Sequence, residues 1–292
     1  MIVKMRMAGV LAFMMSMSLA HAANEKSYTY LALGDSIAFG LDPLLLPPLA
    51  STLPDPSQFV GYPERVAEVK KLLKSKKLVN ASCPGESSGS FWDSSKPDLG
   101  CNGPGPQGQP PFKTTIGLRT NYQESQLDFA KAQLLANKHI NLVTISIGGN
   151  DLSMLEAKCA NPVQLLFTQC VAAGLPGVLA EYGANLTRIL KGIREDANYS
   201  GKLVLVTCYS PNANPLFISA VVALNQVARL IALPYGVKIA EGFTAFQLAS
   251  ILQGGDPCTA GLLIPLPSGG CDIHPTPKGR DLLAATVLVA IQ

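Results

Sequence analysis

Five short apolar runs, Tyr28 to Leu33, Leu78 to Ser82, Leu142 to Ile147, Leu203 to Cys208 and Val237 to Ala240, recur along this chain between longer segments of helical period. The helical segments are Pro63 to Lys74, Ser125 to Asn137, Pro176 to Asp196, Leu216 to Leu233 and Pro277 to Ile291. A run that is apolar at nearly every position fits a strand buried on both faces. Strands of that kind separated by helices make a parallel sheet covered on both sides. The expected fold class is therefore α/β, a three-layer α/β/α arrangement around a five-stranded parallel sheet.

In such sheets the functional loops lie beyond the carboxyl ends of the strands, near the point where strand order reverses. Gly34-Asp35-Ser36, Cys83-Pro84-Gly85 and Gly148-Gly149-Asn150-Asp151 begin where the first, second and third runs stop. All three are expected to face one cleft. The Pro- and Gly-rich stretches Asp42 to Tyr62 and Pro84 to Asn121 leave from the same edge and are expected to wall it.

Lys4 and Arg6 precede the uncharged stretch Met7 to Ala20 and the small-residue site Ala20-His21-Ala22. That is the layout of a secretory signal peptide over residues 1–22, too short for a membrane anchor. The remainder, residues 23–292, carries no linker, charge block or repeat, and is read as one domain. Of 23 basic residues, removing Lys4 and Arg6 leaves 21 against 20 acidic, a net charge of +1 in place of +3. So flat a balance gives no electrostatic reason to expect nucleic acid or an anionic membrane as partner. A soluble exported monomer with a small-molecule or lipid partner and no stable membrane anchor is the expectation.

Seven cysteines in an exported chain point to disulfides. No C-x-x-C pair is present, and His139 and His274 are far apart, so no metal is expected. Spacing suggests Cys83 with Cys101, Cys159 with Cys170 and Cys258 with Cys271. Each closed loop contributes about 3 kcal/mol in the chain-entropy picture. Cys208, inside the fourth apolar run, is left over as a buried inert thiol.

A serine hydroxyl needs a positioned general base to become a nucleophile. Ser36 follows a buried strand, with Gly34 allowing a tight turn; the plainer alternative is a helix N-cap, with Ile37-Ala38-Phe39 opening the helix. The base must be a histidine, because no lysine lies near the strand-end loops. His139 falls at the amino end of the third strand, the wrong edge. His274 precedes Pro275-Thr276-Pro277, where Pro277 starts the last helix, so its loop can return to the cleft. An oxyanion hole needs preorganised donors, and the Asn150 amide with the backbone N–H groups of Gly85 and Ser36 are suitable. Gly85 as a loop turn and Asn150 as a helix cap are the alternatives.

These blocks resemble the SGNH (GDSL) hydrolases: Gly34-Asp35-Ser36 the first block, Gly85 the second, Gly149-Asn150-Asp151 the third and His274-Pro275 the last. Three disulfides, and Gly261-Leu262-Leu263-Ile264 ahead of Cys271-Asp272-Ile273-His274-Pro275, resemble the family's secreted three-disulfide lipase and esterase branch. The resemblance implies a flavodoxin-like sheet, a carboxylic ester substrate, no cofactor, and Ser36, Gly85, Asn150 and His274 as working residues. It also exposes one departure. The family's acid stands three residues before the histidine, where this chain has Cys271; Asp272 stands two before. Either Asp272 orients His274, as a third triad member does, or a backbone carbonyl accepts the imidazole N–H and Asp272 is a solvated turn residue.

Two motifs compete. Gly85-Glu86-Ser87-Ser88-Gly89 matches the G-x-S-x-G elbow, which requires a helix directly after the serine; the residues after Ser87 read as loop. Gly103-Pro104-Gly105-Pro106-Gln107-Gly108 has dinucleotide-fingerprint spacing, yet follows no strand, and its prolines remove donors. Leu44-Leu45-Leu46-Pro47-Pro48-Leu49 either lines an acyl groove or packs on the protein's own core. The expected function is a secreted serine esterase or lipase cleaving lipid or short acyl esters. The alternatives are polysaccharide deacetylation, with Phe91 and Trp92 as sugar platforms, and a non-catalytic lipid- or carbohydrate-binding protein on the same fold.

Overall fold

A computed structural model describes residues 29–72, 77–106 and 108–292, so the signal-peptide segment lies outside the described residues. Five parallel strands, β1 (Thr29–Gly34), β2 (Leu78–Asn80), β3 (Ile140–Ser146), β4 (Lys202–Val206) and β5 (Lys238–Ala240), form one sheet in the order β2-β1-β3-β4-β5. The chain moves outward from β1 to β2, then crosses to the other side of β1 for β3. The reversal point therefore lies between β1 and β3, whose register runs from Tyr30 opposite Leu142 to Gly34 opposite Ser146.

Successive strand residues point to opposite faces, and the two faces have separate cores. Leu31, Leu33, Val143, Ile145, Leu203 and Leu205 pack against helices α5 (Gln126–Ala136), α7 (Gln164–Lys191) and α8 (Pro215–Ala232). Tyr30, Ala32, Leu142 and Val204 pack on the other face against α2 (Tyr62–Val69), α9 (Gly242–Ser250) and α10 (Pro277–Ala290). The three layers follow directly from strands that are apolar on both sides.

Several elements depart from the sequence expectation. The first predicted helix ends at Val69, and Lys74 lies outside the described residues. Helix α7 begins at Gln164, not Pro176, and carries Pro176 inside it; its first half is largely exposed, so the lost backbone bond is open to solvent. Helices α3 (Ser88–Trp92), α4 (Phe112–Thr115) and α9 were not expected, whereas α1 (Ser36–Phe39) and α6 (Gly149–Lys158) answer to the helix-cap alternatives offered at Ser36 and Asn150. Residues 271–275 are β7, paired antiparallel with β6 (Leu263–Pro265), so His274 stands on a hairpin strand. Stretches Gln164–Asp196 and Pro215–Tyr235 are long and apolar enough to cross a membrane by length and composition. Leu186 and Ile189 of the first, and Val221 and Leu224 of the second, are nonetheless buried in the main core.

The three disulfides pair Cys83 with Cys101, Cys159 with Cys170 and Cys258 with Cys271. The last ties the hairpin carrying His274 to the segment before it.

Candidate active site

Ser36 is the first residue of α1, just past the end of β1. Its helix is capped by Asp35, whose side chain accepts from the Ile37 N–H at 3.0 Å. Capping thus falls one residue earlier than the N-cap alternative supposed, and the Ser36 hydroxyl is left for another partner. Gly34 adopts φ +129°, and a Cβ there would lie 2.1 Å from the Ser146 carbonyl oxygen. Only glycine lets β1 and β3 approach that closely at the reversal point.

His274 arrives from the hairpin. The distance between its Nε2 and the Ser36 Oγ is 2.8 Å. Its Nδ1 meets the Asp272 carboxylate in a short contact, and the same oxygen accepts the His274 backbone N–H at 2.9 Å. Partial burial pushes the Asp272 pKa up; hydrogen bonds and charge from His274, with the Ile273 N–H, outweigh that and hold it below the ordinary carboxylate range. With the Nδ1 proton directed at Asp272, Nε2 is free to accept from the serine hydroxyl. Of the two partners left open for the imidazole N–H, the carboxylate is the one in contact.

Asn150 occupies the first turn of α6, where Gly148 at φ +116° is the capping residue. Its Nδ2 donates to the Glu86 carbonyl at 2.8 Å, which leaves its second N–H for a substrate. The next residue, Asp151, accepts from the Ser88 backbone N–H at 3.0 Å and hydroxyl at 2.5 Å. Two consecutive α6 residues thereby grip the segment that follows Gly85. Gly85 has φ +83°, and a Cβ would sit 2.4 Å from the Leu99 carbonyl oxygen. Among the described residues, neither the Gly85 nor the Ser36 N–H is paired with a turn or loop carbonyl.

Ser36 and Asn150 line one cavity of about 110 Å³ together with Leu152, Phe217, Val221 and Cys208. Cys208 is therefore half-buried at the cavity wall, where burial pushes its thiol pKa up and keeps it protonated. The Leu44 to Leu49 loop does not line this cavity; Leu45 and Leu46 pack on the main core, the second of the two alternatives. Phe91 is fully buried. Trp92 donates its ring N–H to Asn185 at 2.9 Å and lies under Arg188, so neither ring fronts the cavity.

A helix, α3, does begin directly after Ser87, contrary to the expected loop. Ser87 caps it, 1% exposed, with its Oγ donating to the Pro97 carbonyl at 2.7 Å and accepting from the Ser90 N–H. Ser87 is thus set aside by burial and by an Oγ that, among the described residues, bonds Pro97 and Ser90 and no histidine, not by lack of a helix. His139 stands immediately before β3, at the opposite sheet edge. In the Gly103 to Gly108 segment, Gly108 N–H returns to the Gly105 carbonyl, closing a turn; Gln107 lies outside the described residues.

Two buried polar residues that the sequence did not single out, Gln126 and Glu86, frame the site together with Asp35 and Asp151. Gln126 bonds both the N–H and the carbonyl of Gly34 and donates to Glu86 at 2.9 Å. Burial pushes Glu86 up to about 7, Asp35 up to about 7 and Asp151 up to about 6. Gln126 sits in the first turn of α5, and nothing in its local sequence marks it.

A family model for the GDSL-like lipase/acylhydrolase family matches residues 32–282. The chain belongs to that family. It is by family a carboxylic ester hydrolase. Solved structures similar to this GDSL-family chain share the fold at low identity. Phospholipase A1 from Streptomyces albidoflavus has a TM-score of 0.55 at 17% identity, covering 90% of this chain and 98% of its own. A putative GDSL-like lipase from Parabacteroides merdae has a TM-score of 0.52 at 17% identity, covering 91% and 96%. An acetylxylan esterase from Geobacillus stearothermophilus has a TM-score of 0.50 at 17% identity, covering 91% and 94%. A comparison with curated protein sequences gives no match.

Proposed function

We propose that this protein is an exported serine esterase that cleaves carboxylic esters of lipid or short acyl type through an acyl-enzyme. The observation that carries the reading is the 2.8 Å separation of His274 Nε2 and Ser36 Oγ, with the other ring nitrogen on Asp272. His274 takes the Ser36 proton as Oγ bonds the ester carbonyl carbon. The resulting oxyanion is held by the Ser36 and Gly85 N–H groups and the free Asn150 amide hydrogen, each worth about 3 kcal/mol of barrier in a dry site. The carbon–oxygen bond to the alcohol then breaks, and His274 returns its proton to the departing oxygen. Water, deprotonated by the same imidazole, attacks the acyl-serine; the acid leaves and Ser36 regains its proton. Asp272 orients the ring and stabilises its charged form.

The acyl chain occupies the cavity walled by Leu152, Phe217 and Val221. Export is supported by three disulfides and by the basic and apolar layout of residues 1–22. Hydrolysis of p-nitrophenyl acetate tests the reading. Turnover by the native protein that vanishes in Ser36→Ala is expected; a well-folded protein with no Ser36-dependent turnover on short or long chains is a binding protein instead.

A further inference from the structure

Glu156 lines the same cavity as Ser36. It stands six residues beyond Asn150 on α6, under two turns and about 9 Å along the helix axis at 1.5 Å per residue. The same cavity is lined by Leu152, Val221 and Phe217 as well as by the polar Ser153 and Thr207. Partial burial pushes its carboxyl up to about 7, and among the described residues no charge or hydrogen bond offsets it. An ionised carboxylate without a partner in such surroundings is costly. Its complement is a cation, which the Phe217 ring lining the same cavity would also attract.

We propose that Glu156 makes the Ser36 cavity select esters whose acyl chain ends in a cation of the ammonium class, over uncharged chains of the same shape. The proposal deepens the esterase reading and rests on it: Ser36 must be the nucleophile and the cavity must take the acyl chain. Ser36 and Asn150 hold the reacting end, and Glu156 reads the far end.

The test compares two p-nitrophenyl esters at pH 8, 6-(trimethylammonio)hexanoate and its uncharged isostere 7,7-dimethyloctanoate, with p-nitrophenyl acetate run alongside. The native protein is expected to favour the cationic ester in kcat/KM by about tenfold, mainly through KM. Glu156→Gln should bring that ratio close to one, and Glu156→Lys should invert it. A native ratio at or below one, or a ratio unchanged in Glu156→Gln, overturns the proposal while acetate turnover leaves the esterase reading intact. Failure to cleave either long ester by protein that cleaves the acetate overturns it equally. Acetate turnover that is missing, or that survives Ser36→Ala, removes the esterase reading itself and the proposal with it. Because the native ratio stands alone, the test does not depend on either variant folding.

Discussion

At Asp272 one carboxylate oxygen serves both the ring nitrogen and the backbone N–H of His274, so ring and strand are held together by a single acceptor. Asp272→Asn would offer an N–H where the ring needs an acceptor, favouring the wrong tautomer. The expected loss in kcat is about 10⁴-fold, the scale seen when a triad acid becomes an amide; a loss under about tenfold in steady-state kinetics would reject a role for the carboxylate. Asn150→Ala removes an oxyanion donor and should lower kcat by about 10²- to 10³-fold with KM little changed. A KM effect without a kcat effect would assign Asn150 to ground-state binding. The spacing of Asp272, two before the histidine, left its partner open in sequence, because only the hairpin geometry turns the side chain back onto its own strand's imidazole.

The elements around the site differ in how readable they were. Strands β1 and β3 are apolar on both sides, so their ends, and with them Ser36 and Asn150, stood out along the chain. Helix α6 did not, since Asp151 and Ser153 interrupt its apolar pattern and its start depends on the positive φ of Gly148. The hairpin β6–β7 escaped notice because its strands are short and one is held by the Cys258–Cys271 bridge; its pairing comes from the cross-link and from Thr276 N–H bonding the Leu262 carbonyl at 2.9 Å. Helix α3 begins among small polar residues, and its reciprocal Ser87–Ser90 cap replaces any apolar signal. The segment between β2 and α3 carries Gly85 and is tied by Cys83–Cys101. Replacing both cysteines by serine should lower unfolding free energy by about 3 kcal/mol in denaturant titrations. It should also lower kcat, because Gly85 would lose part of its fixed frame; an unchanged kcat would show that the Asn150 and Asp151 contacts suffice to hold it.

Among the described residues, burial raises five carboxyls toward the neutral form: Asp35, Glu86 and Glu156 to about 7, Asp151 to about 6, and Glu64 upward. Each binds its proton more tightly in the folded than in the unfolded chain, whose aspartates and glutamates titrate near 4. Between about pH 4 and pH 7 the unfolded state therefore loses protons that the folded state keeps, and stability falls as pH rises. The melting temperature should be higher at pH 5 than at pH 8. Glu86→Gln, which mimics the neutral form, should flatten that dependence; an equally steep slope in the variant would assign the effect to other groups. The burial of these acids was not legible in sequence, since nothing in an aspartate or glutamate announces that the fold will bury it. The measurement that bears most directly on the whole account is mass spectrometry of the protein after reaction with an organophosphonate ester. One adduct on the peptide containing Ser36, absent in Ser36→Ala and retained in Ser87→Ala, is the predicted result; an adduct on Ser87, or one that survives Ser36→Ala, would contradict it.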